Sequence, residues 1–154
     1  MKRDSQRTKV YRAEYRLIRE MDAQPLSFAD AEALMLEVWH CKRWTRPRAV
    51  WDHMRPTLRF VNTRSSSVQQ EYGGFPGDLI LVQQQLQLGH GWARTAQVVV
   101  HETVHAIQVA ELCNGFIAAH GPEFTKLYRE AVEWHLGFEH GEALRRAFRL
   151  GGVR

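Results

Sequence analysis

VVVHETVHAIQVAEL, residues 98–112, is the stretch whose reading decides the fold. Ala96, Val100, Val104 and Ile107 form one apolar stripe at helical spacing, and Val99 and Val109 widen it. The spacing predicts a helix over about 93–113, stopped by Asn114-Gly115 and buried round much of its circumference. Into this apolar run the chain sets His101, Glu102 and His105. A four-residue step on a helix rises about 6 Å and returns to nearly the same face, so both imidazoles can aim at one point. Glu102 is turned from His101 by roughly 100°, near enough to reach a water on a shared metal and angled away from ligating it. Polar groups left unpaired on a buried helix cost roughly 1–3 kcal/mol each, so three together require something that binds them.

Two nitrogens do not complete a catalytic zinc site, which takes three protein ligands and leaves the fourth position open. The glycine and histidine that follow closely in the metzincin pattern are absent from HAIQVAELCNG, residues 105–115. A glutamate on a following helix, as in a thermolysin-like arrangement, would be Glu123 or Glu130. His120 is better placed. It stands directly before Gly121, Pro122 and Glu123, a turn residue, a first-helical-position residue and an acid suited to a helix N-terminus.

The rest of the composition is consistent with such a centre in one domain. With 154 residues, 44% of them hydrophobic, the chain can form a core that removes roughly 68–70% of its unfolded surface from water, and it is too short for two such units. Cys41 and Cys113 are the only cysteines and form no CxxC pair, so a metal must be held by nitrogen or oxygen. No run of about 18 apolar residues occurs, and no apolar stretch follows the basic start MKRDSQRTKVYR, so a cytoplasmic or nucleoid-associated protein is expected, neither membrane-bound nor secreted. Residues 1–64 carry a net charge of +6 and residues 65–154 a net charge of −2, which makes the front half a candidate polyanion surface.

Along the chain, TKVYRAEYRLIREM reads as an amphipathic basic helix, with Val10, Tyr11, Tyr15, Leu17, Ile18 and Met21 at helical spacing and Arg12, Arg16 and Arg19 on another face. SFADAEALMLEVWHCKRW reads as a second helix capped by Ser27. TLRFVN and DLILV read as strands, with GGFPGD as a turn before the second and SSSVQQEY as a candidate strand between them. The glutamine cluster Gln83, Gln84 and Gln85 is too short for low complexity. In CKRWTRPRAVWDHMRPTLR, Arg43, Trp44, Arg46, Arg48 and Trp51 interleave cations with aromatic rings, as a single-stranded DNA surface would. Trp residues also serve commonly as core or shelf residues, and the other five histidines, His40, His53, His90, His135 and His140, lack ligand spacing.

HETVHAIQ, followed fifteen residues after its second histidine by the His of HGPEF, resembles the SprT-like zinc metallopeptidases, the family that includes the Spartan DNA–protein crosslink proteases. The resemblance covers about residues 27–136, with its specific motifs within 101–124. It implies an α+β zincin-like fold with a small, mostly antiparallel sheet packed against the HExxH helix. It implies His101, His105 and His120 as ligands of Zn2+, Glu102 as general base, and protein or peptide substrates associated with DNA. Residues 1–26 then form a basic N-terminal helix or extension and 27–154 the protease domain.

Zinc held by three imidazoles would activate a water for attack on a peptide bond, with Glu102 taking the proton and passing it to the leaving amine. Tyr128, His135 and Tyr72 are candidate donors to the oxyanion, and substrate could pair as an extended strand along 78–82. Two alternatives remain open at this stage: a zinc hydrolase of a non-protein amide such as a cell-wall bond, and a non-catalytic, zinc-stabilised DNA-binding or assembly module.

Overall fold

The computed structural model describes residues 4–44, 54–75, 78–112 and 119–154. Among them are five α-helices and a three-stranded sheet: α1 (Arg7–Glu20), α2 (Phe28–Trp39), β1 (Thr57–Phe60), β2 (Ser66–Phe75), β3 (Asp78–Leu88), a short 3-10 turn (Gly91–Arg94), α3 (Ala96–Leu112), α4 (Pro122–Leu136) and α5 (Phe138–Gly151). The fold is α+β. None of these helices is long and apolar enough to cross a membrane.

The sheet is mixed, with β3 between its two neighbours. β1 runs parallel to it, from Thr57 opposite Gln85 to Phe60 opposite Leu88, and β2 runs antiparallel, with Ser66 opposite Leu88. The expected strand at 78–82 therefore continues through the glutamines to Leu88 and occupies the middle of the sheet. Its face alternation changes phase on the way. Glu71 pairs with Gln83 but Tyr72 pairs with Leu81, so Val82 has no partner on β2 and bulges out, 55% exposed. One extra residue moves every later side chain to the opposite face. As a result Gln84, Leu86 and Leu88 point into the core, and Gln84 becomes a buried tie whose amide donates to the Met54 carbonyl (3.2 Å) and the Ala106 carbonyl of α3 (3.1 Å).

α2 begins as its sequence predicts: the Ser27 hydroxyl accepts the Asp30 amide at 3.1 Å and donates to the Asp30 carboxylate at 2.6 Å. α3 begins at Ala96, after the 3-10 turn, rather than at residue 93. α4 and α5 are separated by Gly137 alone, whose φ of +99° is open to a residue without a side-chain clash.

α1 is part of the same core as residues 27–154. It buries Val10, Ala13, Leu17 and Ile18 in the cluster that also holds Val98, Val104, Phe124 and Leu144. Each such large side chain contributes about 1.5–3 kcal/mol on burial, more than a surface charge pair on a helix, so the apolar face docks α1. Polar ties lock it to the chain end: the Gln6 amide donates to the Arg154 carbonyl (2.9 Å), Lys9 Nζ donates to the Gly152 carbonyl (3.1 Å), and Arg146 pairs with Glu20.

Candidate metal centre

α3 places seven consecutive residues, Val98 to Val104, out of contact with water, and His101, Glu102 and Thr103 are among them. The Thr103 hydroxyl satisfies itself on the Val99 carbonyl one turn back (2.7 Å). The histidines instead face across to His120, which the Gly121-Pro122 helix start of α4 holds at the end of its incoming loop, 4% exposed. His101 Nε2 and His105 Nε2 are 3.0 Å apart, His105 Nε2 and His120 Nε2 3.2 Å, and His120 Nε2 and His101 Nε2 3.3 Å. Nitrogens bound tetrahedrally to a zinc at about 2.0–2.1 Å stand about 3.3 Å from one another, close to the size of this triangle. The three histidines lie close enough to bind one metal ion. Neither Glu123, exposed in the first turn of α4, nor Glu130 belongs to the group.

Carboxylates from the N-terminal segment back two of the rings. Asp4 Oδ2 lies 2.5 Å from His120 Nδ1, and Glu14 Oε1 lies 2.9 Å from His101 Nδ1. The second pair is within ion-pair distance but off the axis of the ring N–H, so it is not an aligned hydrogen bond. Glu14 is itself buried and accepts the Tyr128 hydroxyl at 2.7 Å. Carboxylates at Nδ1 favour a proton there and leave the Nε2 lone pairs of His101 and His120 facing inward. His105 can offer an Nε2–H to one of them at a time, so in a buried site the others find no donor and a cation suits the triangle.

The electrostatics follow from burial. Burial pulls His105 well below its ordinary value, with His101 and His120 adding to the effect. Burial also lowers His120, against the opposing pull of Asp4. For His101 burial is the largest single influence and acts downward too, but the Glu14 and Glu102 carboxylates together outweigh it and the net direction is up. Glu102 is raised by burial, while His101 and a 2.6 Å hydrogen bond from the Ser66 hydroxyl hold it down.

A cavity of about 340 Å³ opens beside the centre, bounded by Arg7 and Tyr11 of α1, Ser66 and Gln70 of β2, Glu102 and His105. Tyr11 stacks on the His101 ring, centroids 5.3 Å apart at 16°, and Phe124 stacks on His105 at 4.2 Å and 20°. Burial and the nearby Glu102 and Glu14 carboxylates push the Tyr11 hydroxyl up to about 12, so it keeps its proton at neutral pH.

The three residues first considered for oxyanion stabilisation lie elsewhere. The Tyr128 hydroxyl is committed to Glu14 behind the metal triangle, His135 pairs with Glu37 on α2 at 2.6 Å, and Tyr72 is exposed with its hydroxyl 3.3 Å from Gln70 Oε1. Of the residues considered for nucleic acid, Arg46, Arg48 and Trp51 lie outside the described residues, as do the Asn114-Gly115 stop, Cys113 and the centre of the GGFPGD turn. Trp44 is turned into the fold: its indole N–H donates to the Val38 carbonyl (2.9 Å) and its ring meets His135 edge-on at 5.4 Å. Arg43 sits over the exposed Trp134 ring at 4.9 Å.

Asp4, Arg7, Tyr11, Glu14 and Ser66 were not singled out from the sequence. Glu14 did carry a signal, since it lies four residues from both Val10 and Ile18, on the buried stripe of α1. Compared with known proteins, the chain matches no protein-family model, no curated protein and no solved structure.

Proposed function

We propose that the protein is a zinc-dependent metalloendopeptidase in which His101, His105 and His120 would hold Zn2+ and Glu102 is the general base. One observation carries this reading: three buried imidazoles converge within 3.3 Å while Glu102, one residue from the first of them, lines the adjoining cavity. A site that only braced the fold would have no use for a buried carboxylate facing open space, since such a group costs several kcal/mol unless something compensates it. When bound, zinc supplies a Lewis acid and a water of lowered pKa.

The chain's own residues supply the rest. Ser66 donates to Glu102 and so steadies the carboxylate in its ionised, proton-accepting form. Glu102 takes a proton from the attacking water and returns it to the leaving amine. The Tyr11 hydroxyl, protonated and facing the cavity, is the donor placed to meet negative charge developing on the carbonyl oxygen. β2 is an outer strand among the described residues, and its Ser66, Ser67, Val68 and Gln70 border the cavity. That supports main-chain pairing of an extended polypeptide with β2, in place of the pairing along 78–82 expected from the sequence. The resemblance of HETVHAIQ and HGPEF to SprT-like peptidases points the same way, and DNA-associated proteins are the substrates to try first.

The test measures bound metal and proteolysis together on the wild type, Glu102→Gln and His120→Ala. The reading requires about one zinc and cleavage in the wild type, zinc without cleavage in the first variant, and loss of metal in the second. Full zinc and activity in His120→Ala would overturn the ligand set; zinc without any peptide cleavage in the wild type would overturn the reaction.

A further inference from the structure

A second cavity, about 870 Å³, runs along α1 away from the metal centre. Arg7, Arg12, Arg16 and Arg19 line it together with Tyr15 and Trp92, and none of its described lining residues is acidic. Arg7, Tyr11 and Ser66 border both this groove and the cavity beside the histidines, so the two adjoin. Among the described residues neither Arg12 nor Arg16 has a carboxylate partner, and Tyr15 is 52% exposed with the Arg19 guanidinium 6.0 Å from its ring centre. Arg7 stands near Glu102, but Arg12, Arg16 and Arg19 are gathered along the groove with no carboxylate partner among the described residues, so they repel one another and favour an anionic occupant.

We propose that this groove is an extended substrate subsite that selects polypeptides carrying carboxylates to one side of the cleaved bond. The proposal rests on the peptidase reading of the metal centre. Adjacency to the metal cavity and the charge of the lining argue for this occupant. A chain held at the metal and passing Tyr11 leads directly into the groove, so its flanking residues arrive there at high effective concentration. The spacing also fits. Arg12 and Arg16 are one helical step of about 6 Å apart, close to the roughly 6.6–6.8 Å between alternate side chains of an extended strand. Alternate Glu or Asp residues would each meet a guanidinium, whose planar fork binds carboxylates in pairs of hydrogen bonds, while Tyr15 and Trp92 offer apolar faces to the residues between.

The experiment uses the full zinc-loaded Glu102→Gln chain, which binds without turnover. Fluorescein-labelled extended peptides with Glu at alternate positions, the same peptides with Gln or Lys there, and an oligothymidylate of matching length are compared by anisotropy at low and near-physiological salt. The Glu peptide is expected to bind about tenfold more tightly than the Gln peptide, less so as salt rises. Adding Arg12→Glu and Arg16→Glu should reverse the order, so that the Lys peptide binds better than the Glu peptide; a merely structural role for α1 would weaken all peptides alike. Equal binding of Glu and Gln peptides overturns the proposal. So does an oligothymidylate that binds more tightly than the Glu peptide and displaces it, which makes the groove a nucleic-acid surface. If the Glu peptide binds selectively and the wild type leaves it uncut, the subsite stands and the peptidase reading fails.

Discussion

Glu14 Oε1 lies 2.9 Å from His101 Nδ1 and accepts the Tyr128 hydroxyl at 2.7 Å, so a carboxylate from the first helix stands behind a histidine of α3. Asp4 does the same for His120. Partners of this kind orient a ligand ring and raise its basicity. Glu14→Gln is therefore expected to lower zinc affinity about 10- to 100-fold, and Asp4→Asn to lower it by a smaller factor because Asp4 is more exposed. Competition against a chromophoric chelator reads both. Unchanged affinity in Glu14→Gln would mean that the charge of this carboxylate has no bearing on the metal.

A metal ion held by the three rings would compete with protons for them. His105 and His120 are shifted down from their ordinary value of 6.5 and stay neutral into mild acid, whereas His101 is shifted up and is the first to protonate as pH falls. The principal loss of zinc affinity on acidification is thus expected to begin above 6.5 in the wild type. In Glu14→Gln the larger of the two upward influences on His101 is gone, only Glu102 still opposes burial, and the loss should move to lower pH. Zinc titrations at stepped pH would show it; a midpoint that moved upward would contradict the assignment.

Ser66 donates to Glu102, which favours the ionised base against burial. Ser66→Ala removes that donor and lets the Glu102 pKa rise. The acid limb of the kcat/KM profile should then shift to higher pH, with zinc content unchanged. An unmoved limb would mean that the profile reports another group.

Tyr11→Phe keeps the ring that stacks on His101 and deletes only the hydroxyl. If that hydroxyl meets charge developing in the transition state, kcat should fall about 10²–10³-fold with KM nearly constant, as for loss of one oxyanion donor. A rise in KM with kcat intact would place the hydroxyl in substrate binding instead.

Chelation should destabilise the fold, because the triangle's lone pairs lose the cation that compensates them. Free zinc at 1,000 times its dissociation constant is worth about 4.1 kcal/mol to a protein that binds it only when folded. Thermal unfolding with and without EDTA measures this, and His120→Ala should unfold at the same temperature in both conditions.

The helices and the grouping of the three histidines were legible in the sequence because both are local. A four-residue spacing brings His101 and His105 to one face of any helix, Gly121-Pro122 sets a helix start behind His120, and Ser27 caps α2 through an amide three residues on. The sheet was less legible. DLILV predicted only the first part of a strand that runs to Leu88, since glutamines at 83–85 disguise the alternation and the bulge at Val82 reverses its phase. Placing the sheet's edges needed non-local pairing, which put β2 beside the histidine group and β3 in the middle.

By itself, then, the sequence determined which residues could share a metal, because their geometry depends on helical pitch and a turn. Only the tertiary structure decided what surrounds them. Asp4 and Glu14 reach His120 and His101 across 116 and 87 positions of chain, and Tyr11 and Ser66 meet at the cavity from separate elements. Contacts at such separations leave no periodic trace in a single sequence. They arise because the apolar face of α1 must be buried against the same core that holds α3, and that docking carries its carboxylates to the histidines.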